Sequence, residues 1–278
     1  MSNELCFGFI GTGNMGGALA RAAYLTQSRK THPALSIYLA NRTPEKARNL
    51  IDEMDQAGIC SVKTNAELAE AAGYIFLGVK PQMTAGLLAE IAPVLAARSD
   101  RFVLVSMAAG LTISRIQELA GGNYPVLRIM PNTPASIGEG MVLYTCGPGV
   151  TADEEAVFLD AMSGAGRFAA IPETQMDAAS AVAGCGPAFA DLFLEALADG
   201  GVACGLPRAQ ALEFAAQMLA GSARLFLETR RHPGVLKDAV CSPGGSTIQG
   251  VRTLEEHGFR AAVINAVIAA YEKNKALG

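Results

Sequence analysis

The glycine spacing between residues 11 and 16 constrains this chain more than any other feature. An apolar run, Leu5-Cys6-Phe7-Gly8-Phe9-Ile10, leads into Gly11-Thr12-Gly13-Asn14-Met15-Gly16, a G-x-G-x-x-G turn. Between a strand and a helix each glycine has its own task. Gly11 makes the tight turn, Gly13 admits a pyrophosphate to the backbone, and Gly16 lets the helix starting near Asn14 pack closely on the strand. The spacing alone is weak evidence, but an alanine-rich helical pattern follows (Ala18, Leu19, Ala22, Ala23). The strand–turn–helix context is therefore complete, and a bound dinucleotide is expected.

The second strand, Leu35–Ala40, ends where an adenosine ribose would lie. An unphosphorylated ribose is normally read there by Asp or Glu. This chain offers Asn41, Arg42 and Thr43, a guanidinium fork and a hydroxyl suited to a phosphate. NADPH is expected to be preferred, with NADH possible; the alternative is that Arg42 is merely a solvated residue before a helix.

Strand-like runs at 5–10, 35–40, 59–62, 74–79, 102–106, 126–129, 141–145 and 167–171 alternate with helical stretches that include 44–57, 82–97 and 113–120. That order predicts a doubly wound α/β sheet, parallel at first, with an antiparallel edge where the connections shorten. After Pro172 no strand pattern appears. Helices are expected at about 173–203, 208–228, 247–256 and 259–276, with Gly184-Cys185-Gly186-Pro187 breaking the first. The expected domains are 1–172, a Rossmann-like dinucleotide-binding domain, and 173–278, an all-helical domain. The helices are apolar almost all round, as in Ala190, Leu192, Phe193, Leu194, Ala196 and Leu197, so they must be buried on several sides.

Half of the chain is apolar and only 17% is charged, with a mean hydropathy of +0.27. Such a balance calls for more burial than one copy can supply, so self-association is expected through the helical domain. A net charge of −4 without basic runs argues against nucleic acid. Apolar stretches are soon interrupted, so no membrane span is expected, and the N-terminus enters the first strand at once, which points to the cytoplasm. The six cysteines lack C-x-x-C spacing and are expected to be reduced core thiols.

Near the C-terminus, Ser242-Pro243-Gly244-Gly245-Ser246-Thr247 runs into a helical pattern of Ile248, Val251 and Leu254. Two glycines bare their amides, and a helix start offers free donors with a partial positive charge, so a carboxylate or phosphate is the expected guest. The alternative is a tight turn with Ser246 or Thr247 as a plain N-cap. Strand ends place Val79-Lys80-Pro81, Ser106-Met107-Ala108-Ala109-Gly110 and Met130-Pro131 where a nicotinamide would lie. Lys80 is either an acid or phosphate partner, or a residue that only orients backbone. His32, His232 and His257 sit away from strand ends, and no clustered acids suggest a metal. A hydride-transfer enzyme without a strong acid suits a substrate that brings its own activation, such as a protonated C=N bond. The loop would hold its carboxylate and the Thr247 hydroxyl its nitrogen.

Together these residues resemble the pyrroline-5-carboxylate reductase family. The resemblance rests on Gly8 to Met15, Val79-Lys80-Pro81, Asn132-Thr133-Pro134, Gly184-x-Gly186-Pro187-Ala188, Ala198-Asp199-Gly200-Gly201-Val202, Gly205-Leu206-Pro207 and Leu236 to Thr247. It implies NAD(P)H-dependent reduction of 1-pyrroline-5-carboxylate to L-proline by a homodimer that assembles further into a ring of dimers such as a decamer. It places cofactor contacts on Gly11, Thr12, Gly13, Asn14, Met15, Asn65, Val79, Lys80, Pro81, Met107, Ala108 and Ala109. Substrate contacts fall on Val240, Gly245, Ser246 and Thr247, with Thr247 near the imine nitrogen and the Ser246 hydroxyl dispensable. A hydroxyacid dehydrogenase of similar architecture would carry a lysine in 173–190, and none is present. A regulatory protein that senses the cofactor would bind NADPH without turnover.

Overall fold

A computed structural model describes residues 5–28, 35–55 and 58–276. His32 and the end of the helix expected to reach Ala57 lie outside them. The chain divides into two compact units: one runs up to Gly184 and takes in the C-terminal segment from Ala270, and the other is Cys185–Ala269.

In the first unit β1 (Leu5–Ile10) leads into α1 (Asn14–Ser28), then β2 (Leu35–Ala40), α2 (Pro44–Met54), β3 (Cys60–Val62), α3 (Asn65–Ala71), β4 (Tyr74–Leu77), α4 (Pro81–Ala97), β5 (Val103–Ser106), α5 (Ile113–Ala120), β6 (Val126–Met130), β7 (Gly140–Cys146), α6 (Ala152–Ala161), β8 (Gly166–Ala170) and α7 (Met176–Ala183). The eight strands form one sheet in the order β3-β2-β1-β4-β5-β6-β7-β8. β1 to β6 are parallel; β7 runs antiparallel to β6, and β8 lies parallel to β7. The expected antiparallel edge is thus two strands wide. Central strands are buried on both faces, which is why β4 and β5 read as continuous apolar runs. Phe7, Phe9 and Phe76 are fully buried, with Phe9 stacked on Phe76 at 4.2 Å between ring centroids. Such a pair adds about 0.5–1.5 kcal/mol beyond its area.

Two differences from the sequence expectation bear on the site. The helix expected from residue 82 starts one residue earlier, with Pro81 opening α4, where its missing N–H costs nothing. Residues 173–184 stay with the sheet, although a boundary after Pro172 was expected. The buried Arg128 of β6 holds Glu173 at 3.0 Å and lies 3.6 Å from Asp177, while Glu173 also accepts from the Ile113 N–H. Asn132 donates to the Ala183 carbonyl and accepts from the Met141 N–H, so it braces the sheet against α7.

The second unit contains α8 (Gly186–Ala203), α9 (Arg208–Thr229), α10 (Pro233–Asp238), α11 (Ser246–Glu256) and the start of α12 (Phe259–Lys275). Pro187 restarts the helix after Gly184 and Cys185, as expected. α10 is not among the expected helices; His232 caps it, its Nδ1 accepting from the Gly234 N–H. Only small apolar side chains are buried in this unit, Ala198, Ala211 and Ala215, whereas Leu192 is 68% exposed and Phe214 56%. Helices this apolar and this bare form half of an interface. The stretch Glu173–Ala203 is long and apolar enough, by length and composition, to cross a membrane. The interruptions at Asp191, Glu195 and Asp199 therefore leave an apolar window in it, of the kind that a helix covered by a second copy also carries. Cys204, expected in a core, is exposed.

Candidate functional site

The β1–α1 turn is held by backbone on both sides. Gly11 N–H donates to the Ala40 carbonyl of β2 and Gly78 N–H to the Ile10 carbonyl, each at 2.7 Å. Gly11 has φ +94, and a Cβ on it would lie 2.6 Å from the Gly78 oxygen. A Cβ on Gly16 would lie 2.0 Å from the Gly11 oxygen, so these positions are closed by protein. Gly13 differs: a Cβ there would meet nothing within 4 Å. The three tasks assigned to the glycines are therefore separable, two for packing and one for an open approach. Gly78, missed in the sequence, packs against the same turn, since its Cβ would lie 2.5 Å from the Gly11 oxygen.

This turn opens on a groove of about 1190 Å³. Of the residues singled out in the sequence, it is lined by Gly11, Gly13, Asn14, Met15, Asn41, Arg42, Thr43, Asn65, Val79, Lys80, Pro81, Met107, Ala109, Met130 and Pro131. Thr12, Gly16 and Ala108 do not line it. Ala108 is buried, with its N–H 3.4 Å from Ser106 Oγ, and Gly16 is covered by the turn. Thr12 Oγ1 is buried without a hydrogen-bond partner. Sequence reasoning missed Lys46, Met83, Leu87 and Glu90, which enter the wall from helices rather than from strand ends. The helical period does not say which helix faces the groove.

Asn65 reaches the groove because Thr64 caps α3. Its hydroxyl accepts from the Glu67 N–H, while the Glu67 carboxylate accepts from the Thr64 N–H at 2.8 Å. These bonds hold the Glu67 carboxyl below its usual range. Asn41 donates to the Thr43 carbonyl, and Thr43 starts α2 without a side-chain capping bond. Arg42 is exposed and forms no ion pair among the described residues.

A nicotinamide dinucleotide fits this arrangement on two observations. The space over Gly13 is one that only glycine leaves free, and Asn14 and Met15, the first residues of α1, bring a helix N-terminus to the same wall, where its amides suit a phosphate.

The second unit carries the glycine loop. Gly244 has φ +70 and Gly245 is extended, with its N–H turned back to the Ser242 carbonyl at 3.0 Å. Gly245 is the N-cap of α11, and no side chain caps that helix. The alternative in which Ser246 or Thr247 serves as a plain cap is not what forms. They are instead the first two helical residues, so the first-turn amides remain free to bind an anion. Val240, Ser246 and Thr247 are exposed in the single chain, and Thr247 has no hydrogen-bond partner among the described residues. Lys237 stands just before the loop, held charged by Asp238 at 2.6 Å.

Two family models match the chain. One, described as pyrroline-5-carboxylate reductase dimerisation, covers residues 173–277; the other, described as NADP oxidoreductase coenzyme F420-dependent, covers 6–110. The chain is 42% identical over 274 residues to a pyrroline-5-carboxylate reductase of Escherichia coli (strain K12), covering 99% of this chain and 98% of that protein. It is 37% identical over 270 residues to the enzyme of the same name from Arabidopsis thaliana, covering 97% and 94%. The pyrroline carboxylate reductase of Plasmodium falciparum, solved with NADP bound, superimposes with a TM-score of 0.85 at 32% identity, covering 99% of both chains. With a glycine-turn groove in one unit, an uncapped glycine loop in the other, and relatives matched nearly end to end, this chain belongs to the pyrroline-5-carboxylate reductase family.

Proposed function

We propose that this protein reduces 1-pyrroline-5-carboxylate to L-proline, the last step of proline synthesis, using NADPH in preference to NADH. The observation that carries the reading is the uncapped start of α11 behind Gly244 and Gly245, in a chain whose other unit holds a dinucleotide groove. In this reading residues 1–172 bind the cofactor and 173–278 bind substrate and form the dimer, although 173–184, the first residues of the helical part, pack with the sheet. Dimers associate further into a ring, in the cytoplasm.

Gly11, Gly13, Asn14 and Met15 would hold the pyrophosphate, Asn41, Arg42, Thr43 and Asn65 the adenosine end, and Val79, Lys80, Pro81, Met107 and Ala109 the nicotinamide end, with Thr12 and Ala108 set behind that wall. Gly16 serves by packing. When bound, the reduced nicotinamide supplies the hydride that the imine carbon accepts. The chain's own contribution is placement. Free amides at Ser246 and Thr247, behind the bare Gly245 cap, grip the substrate carboxylate, with the α11 dipole adding to the attraction. Val240 covers the apolar edge of the ring. The Thr247 hydroxyl holds the ring nitrogen, which has already taken its proton from solvent, so no buried acid is needed. Fixing the reacting carbon in this way supplies much of the rate.

The reading is tested by following NADPH consumption with 1-pyrroline-5-carboxylate. Turnover is expected, and binding without turnover would favour a regulatory role instead. In reverse, NADP⁺-dependent oxidation of proline releases a proton, so its extent should rise with pH. Arg42→Ala is expected to lower the ratio of kcat/KM for NADPH over NADH by about tenfold, through loss of a charge-assisted contact to phosphate. An unchanged ratio would remove Arg42 from cofactor choice.

A further inference from the structure

The dinucleotide groove continues into a smaller one of about 390 Å³, and the two share Asn41, Arg42, Asn65 and Glu90. Arg42, Arg48 and Lys63 bring three positive charges to the smaller groove. Arg42 and Lys63 form no ion pair among the described residues, and Arg48 approaches Glu45 only at 3.7 Å on the exposed surface. Lys63 lies over the Tyr38 ring at 4.7 Å and beside the Glu67 carboxylate, so Arg42 is the least engaged of the three, and together they suit the second phosphate of NADPH.

Two carboxylates face the same space. Glu67 is engaged in capping α3. Glu90 is not a cap; it reaches in from α4 and receives the Asn65 amide, with Nδ2 3.1 Å from each of its oxygens. A carboxylate only accepts, so this contact turns the Asn65 NH₂ towards Glu90 and fixes the side chain of a residue on the groove wall. An unphosphorylated ribose is ordinarily recognised by a carboxylate at the end of the second strand. This chain has none there, and Glu90 carries one to the same groove from a distant helix.

We infer that Glu90 is a specificity-determining residue: its charge at the junction of the two grooves opposes the 2′-phosphate and keeps NADH usable against the pull of Arg42, Arg48 and Lys63. This rests on the reading that the groove holds a nicotinamide dinucleotide. Glu90 is exposed, so its replacement leaves the fold intact, and glutamine keeps an acceptor for Asn65.

The test is equilibrium titration of the intact protein, wild type and Glu90→Gln, with 2′,5′-ADP, 5′-AMP, NADPH and NADH. Removing one unit of negative charge across a solvated groove is expected to tighten 2′,5′-ADP and NADPH by about three- to tenfold, with the gain shrinking in about 0.5 M salt. Binding of 5′-AMP and NADH should stay the same or weaken. Equal tightening of all four ligands, or none, overturns the inference while leaving the dinucleotide reading in place. Failure of the wild type to bind any of them overturns both.

Discussion

Gly13→Ala is expected to weaken NADPH binding by about 10- to 100-fold while moving the melting temperature by less than about 2 °C. Gly16→Ala should do the opposite in kind, lowering Tm by roughly 5–10 °C before cofactor is added. The contrast follows from what a methyl group would meet. At Gly13 it enters open space on the groove wall, so the fold tolerates it and the ligand does not. At Gly16 it lies 2.0 Å from the Gly11 oxygen, in a turn whose Gly11 N–H is bonded to β2 and which Gly78 packs against. Isothermal titration and thermal melting of both variants check the pair. If Gly13→Ala bound NADPH like the wild type, the pyrophosphate could not lie over Gly13.

The second large effect is expected at Thr247. Thr247→Ala should lower kcat by about 10- to 100-fold, while Thr247→Ser recovers most of the loss, because the role assigned is that of a hydroxyl. NADPH affinity should not change, as the hydroxyl's assigned partner is the substrate nitrogen and not the cofactor. Ser246→Ala should alter kcat/KM by less than about twofold, since its backbone amide rather than its side chain faces the anion. Steady-state kinetics on the three variants separate these roles. A Thr247→Ala enzyme with wild-type kcat would exclude the hydroxyl from the reaction.

Other consequences of the sequence lie in its local grammar. The limits of β1 and β2 coincide with their expected bounds, because a short apolar run stopped by Gly11 or Asn41 leaves little choice. α11 and α9 end within a residue of expectation, marked by Pro207 and Gly245 at their starts. The weaker expectations were those without punctuation. α3 was not foreseen, since its start depends on the Thr64–Glu67 box rather than on an apolar stripe, and α10 follows a His-Pro pair that reads equally well as a turn.

What the sequence determined by itself was the strand–turn–helix at the N-terminus, the glycine loop before α11 and the change from sheet to helices after Pro172. Each is written in consecutive residues, where φ, hydrogen bonding and side-chain period are set by near neighbours. What only the tertiary structure decided was which partners come from afar: Gly78 locking the Gly11 turn, Arg128 tying Glu173 to the sheet, Asn132 serving as a brace, and Glu90 entering the cofactor groove. Those pairings depend on how helices lie across a twisted sheet, and residues far apart in sequence carry no local signal of the distance at which packing will set them.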